Sequence, residues 1–172
     1  YSLGDPAMRA PEHLARHPLG RVPVLEDDGV VIYETAAIIH YLLEHHGGGR
    51  LEPPAADRPA RATFLQRLHV AEGLIMPPIN TIVVETVLPP PDRRNPEQAA
   101  RALKLLNRTL EAVEAHLEGR EHLAGDFSAA DVQTGHAVMM AMRLGADERP
   151  NLAAYRDRLL ARPACASAFA ET

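Results

Sequence analysis

The 172-residue chain has no tryptophan, one cysteine and only 4% aromatic residues. A lone Cys165 excludes an internal disulfide, and with it the stapled folds of small secreted domains. No apolar run approaches the roughly 20 residues that span a bilayer, and no signal-peptide pattern opens the sequence, so a membrane is not a predicted partner and the cytoplasm is the expected compartment. A basic stripe is missing too: 18 Lys and Arg are scattered among 23 Asp and Glu for a net charge of -5. Nothing there neutralises a phosphate backbone, which excludes nucleic acid. Nine histidines are present, but no His-Glu-x-x-His or Cys/His cluster accompanies them, and no metal is predicted. The adjacent His45-His46 suit a helix C-terminus, where the dipole favours imidazolium. Cys165 has no histidine at fixed spacing and reads as a small packed side chain.

What remains is a globular composition, 46% apolar and 24% charged, long enough for one domain or two small ones. The punctuation comes from 15 prolines and 11 glycines. A short helix is predicted over Arg9 to Arg16, with Pro11 in its first turn. Pro23 to Glu26 and Val30 to Tyr33 are β-rich runs around Asp27-Asp28-Gly29, residues that tolerate positive φ, which predicts a hairpin. Thr35 then opens a helix with Ile38, Ile39, Leu42 and Leu43 on one face, ended by three glycines at 47 to 49.

Arg50 to Pro59 is proline-rich and aperiodic, as a linker is. Everything beyond it reads as helix. Arg61 to Val87 is one long segment that Met76-Pro77-Pro78 should kink or divide. Pro96 to Leu117 carries Leu103, Leu106, Leu110, Val113 and Leu117 along one stripe. Ser128-Ala129-Ala130-Asp131 has the spacing of a capping box opening a helix to Leu144, and Asn151 to Leu160 and Pro163 to Ala170 are two last short helices. The Met139, Met140 and Met142 cluster reads as core filling.

Gly20-Arg21-Val22-Pro23-Val24-Leu25, Asp28-Gly29, Tyr33-Glu34-Thr35-Ala36-Ala37-Ile38 and Tyr41-Leu42 resemble, in order and spacing, the glutathione-binding half of soluble glutathione transferases. The likeness continues through Ala71-Glu72-Gly73 and Met76-Pro77-Pro78, which are similar to a bacterial and fungal subgroup, and through Phe127 to Asp131 and the Asn151 to Ala164 ending. It implies an α/β thioredoxin-like N-terminal domain over residues 1–47, a linker over 48–58 and an all-α helical domain over 59–172. A βαβ unit takes roughly 30 or more residues, so the first strand and first helix of such a half are expected ahead of Tyr1, with only a second strand near Tyr1 remaining. The Tyr, Ser or Cys that stabilises the glutathione thiolate is expected there as well, and no residue of 1–172 is assigned that role.

The resemblance further implies glutathione as co-substrate, a small apolar electrophile as its partner in reaction, and a homodimer. Val22-Pro23 resembles the family's cis-proline turn, which leaves the Val22 main chain free to pair with the cysteinyl backbone as an added strand would. Read from the residues alone, Pro23 is equally a trans proline opening an edge strand. By resemblance Thr35 holds the γ-glutamyl carboxylate at a helix N-terminus, with Glu34 nearer the amine; the plain alternative is a helix cap. Arg21 stands where a guanidinium could grip the glycyl carboxylate, or where a loop arginine meets only water. The helix around His69 to Pro77 would wall the electrophile pocket, without the aromatic residues usual there. A non-catalytic glutathione-transferase-like binding module is the rival reading.

Overall fold

The computed structural model describes residue 1 and residues 4–170, in two compact units divided between Arg50 and Leu51. In the first unit Asp5 accepts from the Ala7 N–H at 2.8 Å and caps a 3₁₀ turn, Pro6–Arg9. Helix α1, Pro11–Leu14, follows. The longer helix predicted from Arg9 is not formed, because Ala10 precedes a proline and is held extended at φ -64, ψ 145. The strand expected near Tyr1 falls on Ser2 and Leu3, which lie outside the described residues.

Strands β1, Val24–Asp27, and β2, Val30–Tyr33, pair antiparallel with Val24 opposite Tyr33 and Asp27 opposite Val30. Asp27 therefore belongs to the strand. The turn is the two residues Asp28 and Gly29, both left-handed (φ 46 and 84), which matches the twist of the strands they join. Helix α2, Thr35–His46, packs back on the hairpin, and its C-terminal half is tied to β1: the Tyr41 hydroxyl donates to the Asp27 carboxylate at 3.0 Å and His46 Nε2 lies 2.7 Å from the same oxygen. These hydrogen bonds, that of His46 first, lower the Asp27 pKa from its ordinary 3.8. A carboxyl depressed by folding stabilises the folded state fully above the unfolded value, and that stability is lost as the pH falls through the folded one. Asp27→Asn should thus flatten the acid limb of a thermal-melting profile by slightly lowering stability at neutral pH, while the protein well below about pH 4 is little changed. An acid limb identical to wild type would count against the tie.

In the second unit, helix α3, Arg58–Val70, starts three residues ahead of the predicted Arg61, since Asp57 accepts from the Ala60 N–H at 3.1 Å and Pro59 fits the first turn. The expected break is one turn earlier than the prolines. A π-helical turn, Ala71–Ile75, joins α3 to α4, Met76–Thr86. Pro77 and Pro78 have no N–H for the carbonyls of Gly73 and Leu74 and their rings crowd that turn, so the wider winding precedes them. Helix α5, Pro96–His116, is capped by Asn95 and buries Leu106, Leu110 and Val113, with Leu103 only partly covered.

Helix α6, Ala129–Arg143, is buried on nearly every side, which its small residues permit: a Cβ on Gly135 would stand 2.3 Å from the Leu159 side chain. Helices α7, Pro150–Leu160, and α8, Pro163–Ala170, complete the unit. The first two N–H groups after Pro150 find their acceptor on α5, where the Glu114 carboxylate takes Asn151 at 3.1 Å and Leu152 at 2.8 Å. Met139 is buried, and Met140, Met142 and Cys165 pack partly against the core, as the sequence predicts.

The capping box at the start of α6 is present and extends beyond its two members. Asp131, 1% exposed, accepts from the Ser128 N–H at 2.9 Å, the Ser128 hydroxyl at 3.1 Å, the Leu123 N–H at 2.9 Å and the Tyr155 hydroxyl at 3.0 Å. Burial, reinforced by the Asp131 charge, pushes the Tyr155 pKa far up, so the phenol keeps the proton it donates. Among the described residues no helix is long and apolar enough to cross a membrane.

Candidate functional site

The register of the hairpin decides which residues meet. Val24 opposite Tyr33 is the last pair of the ladder, so Pro23 directly precedes it on one strand and Glu34 directly follows it on the other, with Val22 and Thr35 one residue further at the open end of the hairpin. Arg21 lies one residue further along the same chain. The five residues singled out in the sequence therefore all lie within three chain positions of the last strand pair. Val22 is 50% exposed, Arg21, Pro23 and Glu34 are exposed and Thr35 is half-buried.

The Val22–Pro23 bond is cis, as the motif implied. Across from it, Glu34 is the N-cap of α2 at φ 74, ψ 116, a conformation that costs a non-glycine residue about 1–3 kcal/mol. Its side chain makes no capping bond to the helix. Thr35 is the first helical residue and not the cap, which corrects the plain-cap alternative. The first N–H groups of α2, where the positive end of the helix dipole lies, thus follow the end of β2 at which the ladder stops. Such a place suits a carboxylate with an extended peptide behind it.

The loop from His17 to Val22 is held more tightly than its composition suggests. His13 Nε2 donates to the Arg21 carbonyl at 2.7 Å. His17 Nδ1 accepts from the Leu19 N–H at 3.2 Å, Arg9 Nη1 donates to the Leu19 carbonyl at 3.0 Å, and the Gly20 N–H reaches the His17 carbonyl at 2.8 Å. Both histidines are 3% exposed. Their rings stand in a row with two tyrosines, Tyr1 to His13 at 4.8 Å, His13 to His17 at 6.5 Å and His17 to Tyr33 at 4.5 Å, so the loop is braced against β2. Gly20 at φ 58 has no room for a side chain, since a Cβ there would lie 2.5 Å from the Met8 carbonyl.

His13 and His17 were invisible as site residues in the sequence. Their i, i+4 spacing is the only signal, and nothing in the text links them to Arg21, eight residues on. Among the described residues no group of three His, Cys, Asp or Glu is placed to hold a metal ion.

The model of the glutathione S-transferase N-terminal domain matches residues 1–53, and that of the C-terminal domain residues 75–163. Glutathione S-transferase 4 of Zea mays is 39% identical over 95% of this chain and 75% of its own length. Among solved structures, glutathione transferase URE2P6 from Phanerochaete chrysosporium in complex with oxidized glutathione superposes with a TM-score of 0.83 at 27% identity, covering 95% of this chain and 78% of that one. The theta class glutathione S-transferase from Xanthomonas axonopodis pv. citri with glutathione bound gives 0.78 at 26%, covering 93% and 77%. The fold shared with these proteins is a thioredoxin-like N-terminal half followed by a helical half, and among the described residues of this chain the first half carries a two-stranded sheet. The chain belongs to the glutathione S-transferase family.

Proposed function

We propose that this transferase holds glutathione along the open end of the hairpin and presents its thiolate to small apolar electrophiles, conjugating or reducing them. The observation that carries the reading is that the cis Val22–Pro23 bond and the strained Glu34 flank the last strand pair on its two strands, with the start of α2 directly after Glu34. In this reading the Val22 main chain pairs with the cysteinyl backbone, Thr35 takes the γ-glutamyl carboxylate, Glu34 its amine, and Arg21 the glycyl carboxylate. A relative at 39% identity is named a glutathione S-transferase, and a solved neighbour has glutathione bound. The protein works as a homodimer in the cytoplasm.

Calorimetric titration of the full-length protein with glutathione and with S-methyl glutathione tests the grip. The proposed contacts involve peptide ends and backbone, so the two ligands should bind with affinities within about threefold of each other, less than one hydrogen bond is worth. A conjugation assay with a nitro-activated aryl chloride tests the chemistry. No binding of either ligand at millimolar concentration would end the proposal.

A further inference from the structure

We propose that His13 is a positioning residue for glutathione: its Nε2–H, held on the Arg21 carbonyl, fixes the Arg21–Val22 peptide so that the Val22 N–H faces outward to the ligand. This rests on the reading that the Val22 main chain binds the cysteinyl backbone.

Among the described residues the one cis bond follows Val22, so the Arg21–Val22 peptide is planar and trans, with its C=O and N–H pointing in opposite directions. Pinning the carbonyl at 2.7 Å from a buried imidazole therefore sets the direction of the N–H on the far side. The neighbours cannot do this. Gly20, left-handed at φ 58, is the most permissive residue of the loop, and Pro23 has no N–H with which to anchor the chain from the other end. At 3% exposure His13 itself is out of reach of a ligand on the outer edge, so it acts through the peptide it holds.

A carbonyl only accepts, so the proton sits on His13 Nε2. The ring is kept in place by Tyr1 on one side and His17 on the other. His17 in turn accepts the Leu19 N–H on Nδ1, which closes the same loop two residues upstream of the carbonyl that His13 holds. The two histidines, one in α1 and one just beyond its end, thus fix the approach to the site.

Phenylalanine at position 13 keeps a ring of similar size without a donor, whereas glutamine can offer an N–H at a comparable reach. His13→Phe should weaken glutathione binding about three- to tenfold in calorimetry, the worth of one net hydrogen bond, and raise the KM for glutathione with kcat at saturating glutathione unchanged. His13→Gln should restore affinity to within about twofold of wild type. A purely structural role would lower the melting temperature of both variants and move neither the affinity nor its rescue. Thr35→Ala serves as the control: if it weakens binding and a folded His13→Phe does not, the role of His13 falls and the site stands. If neither weakens binding, the site assignment falls and takes this inference with it.

Should His13→Phe fail to fold, wild-type protein suffices. In imidazole ¹⁵N spectra His13 should carry its proton on Nε2, and that resonance and the Val22 amide should shift together as glutathione is added. A Val22 amide that moves while His13 stays fixed, or neither moving at saturation, overturns the proposal.

Discussion

Replacing Asp131 by alanine is expected to cost about 3–5 kcal/mol of the second unit's stability, because about 1–3 kcal/mol attaches to each buried donor left without an acceptor. Three groups are stranded at once, the Ser128 and Leu123 N–H groups and the Tyr155 hydroxyl, while the Ser128 hydroxyl can turn to another acceptor. Trimming a single spoke is milder. Ser128→Ala should cost about 1 kcal/mol, the usual worth of a cap. Tyr155→Phe should cost a similar amount, about 0.5–1.5 kcal/mol, since the ring still fills the core and only its bond to Asp131 goes. Combined with Asp131→Ala, either change should add little, since the interaction it removes has already gone. Urea unfolding followed by circular dichroism measures all five variants, and a loss below about 1 kcal/mol for Asp131→Ala would show that the carboxylate is not the centre of this network.

Thr35→Ala and Glu34→Ala should each lower glutathione affinity roughly tenfold to a hundredfold, the worth of about 1.5–3 kcal/mol for a hydrogen bond to a charged group. The fold should survive both changes. Thr35 is half-buried at the first position of α2, where alanine is a good helix former, and Glu34 is exposed and makes no capping bond. At position 34 alanine inherits the same positive φ, so backbone strain is common to both proteins and the affinity change reports the carboxylate alone. Calorimetry beside a far-ultraviolet dichroism spectrum separates the two effects. Unchanged affinity in both folded variants would reduce the pair to the start of a helix and nothing more.

Why these particular features could be read in advance is a matter of range along the chain. The hairpin and the capping box are each written within a window of a few residues, where turn chemistry acts directly, and the stripe of α5 in its own periodicity, whereas the cis proline followed from the family resemblance and not from its residues alone. The cap of α7 was not legible, because Glu114 supplies it from another helix, 37 residues earlier in the case of Asn151. The full set of bonds to Asp131 escaped for the same reason: Ser128 is local, and Tyr155 lies 24 residues away. Within the site, Glu34 and Thr35 announced themselves by motif, whereas the unusual φ of Glu34 and the hold of His13 on Arg21 arise from tertiary placement. The shortened α1 is an error of local reading, since the extended residue ahead of Pro11 was foreseeable from the proline itself. The displaced break before Met76 is subtler, because proline marks that a helix must yield without saying on which turn.

The left-handed Glu34 sets selection for durability against selection for binding at a single codon. Glycine adopts that conformation without penalty, so a population screened only for heat resistance has a route to gain there by discarding the side chain proposed to meet the ligand's amine. A lineage that keeps a carboxylate at this position is accepting a less stable first unit in return for what it can hold.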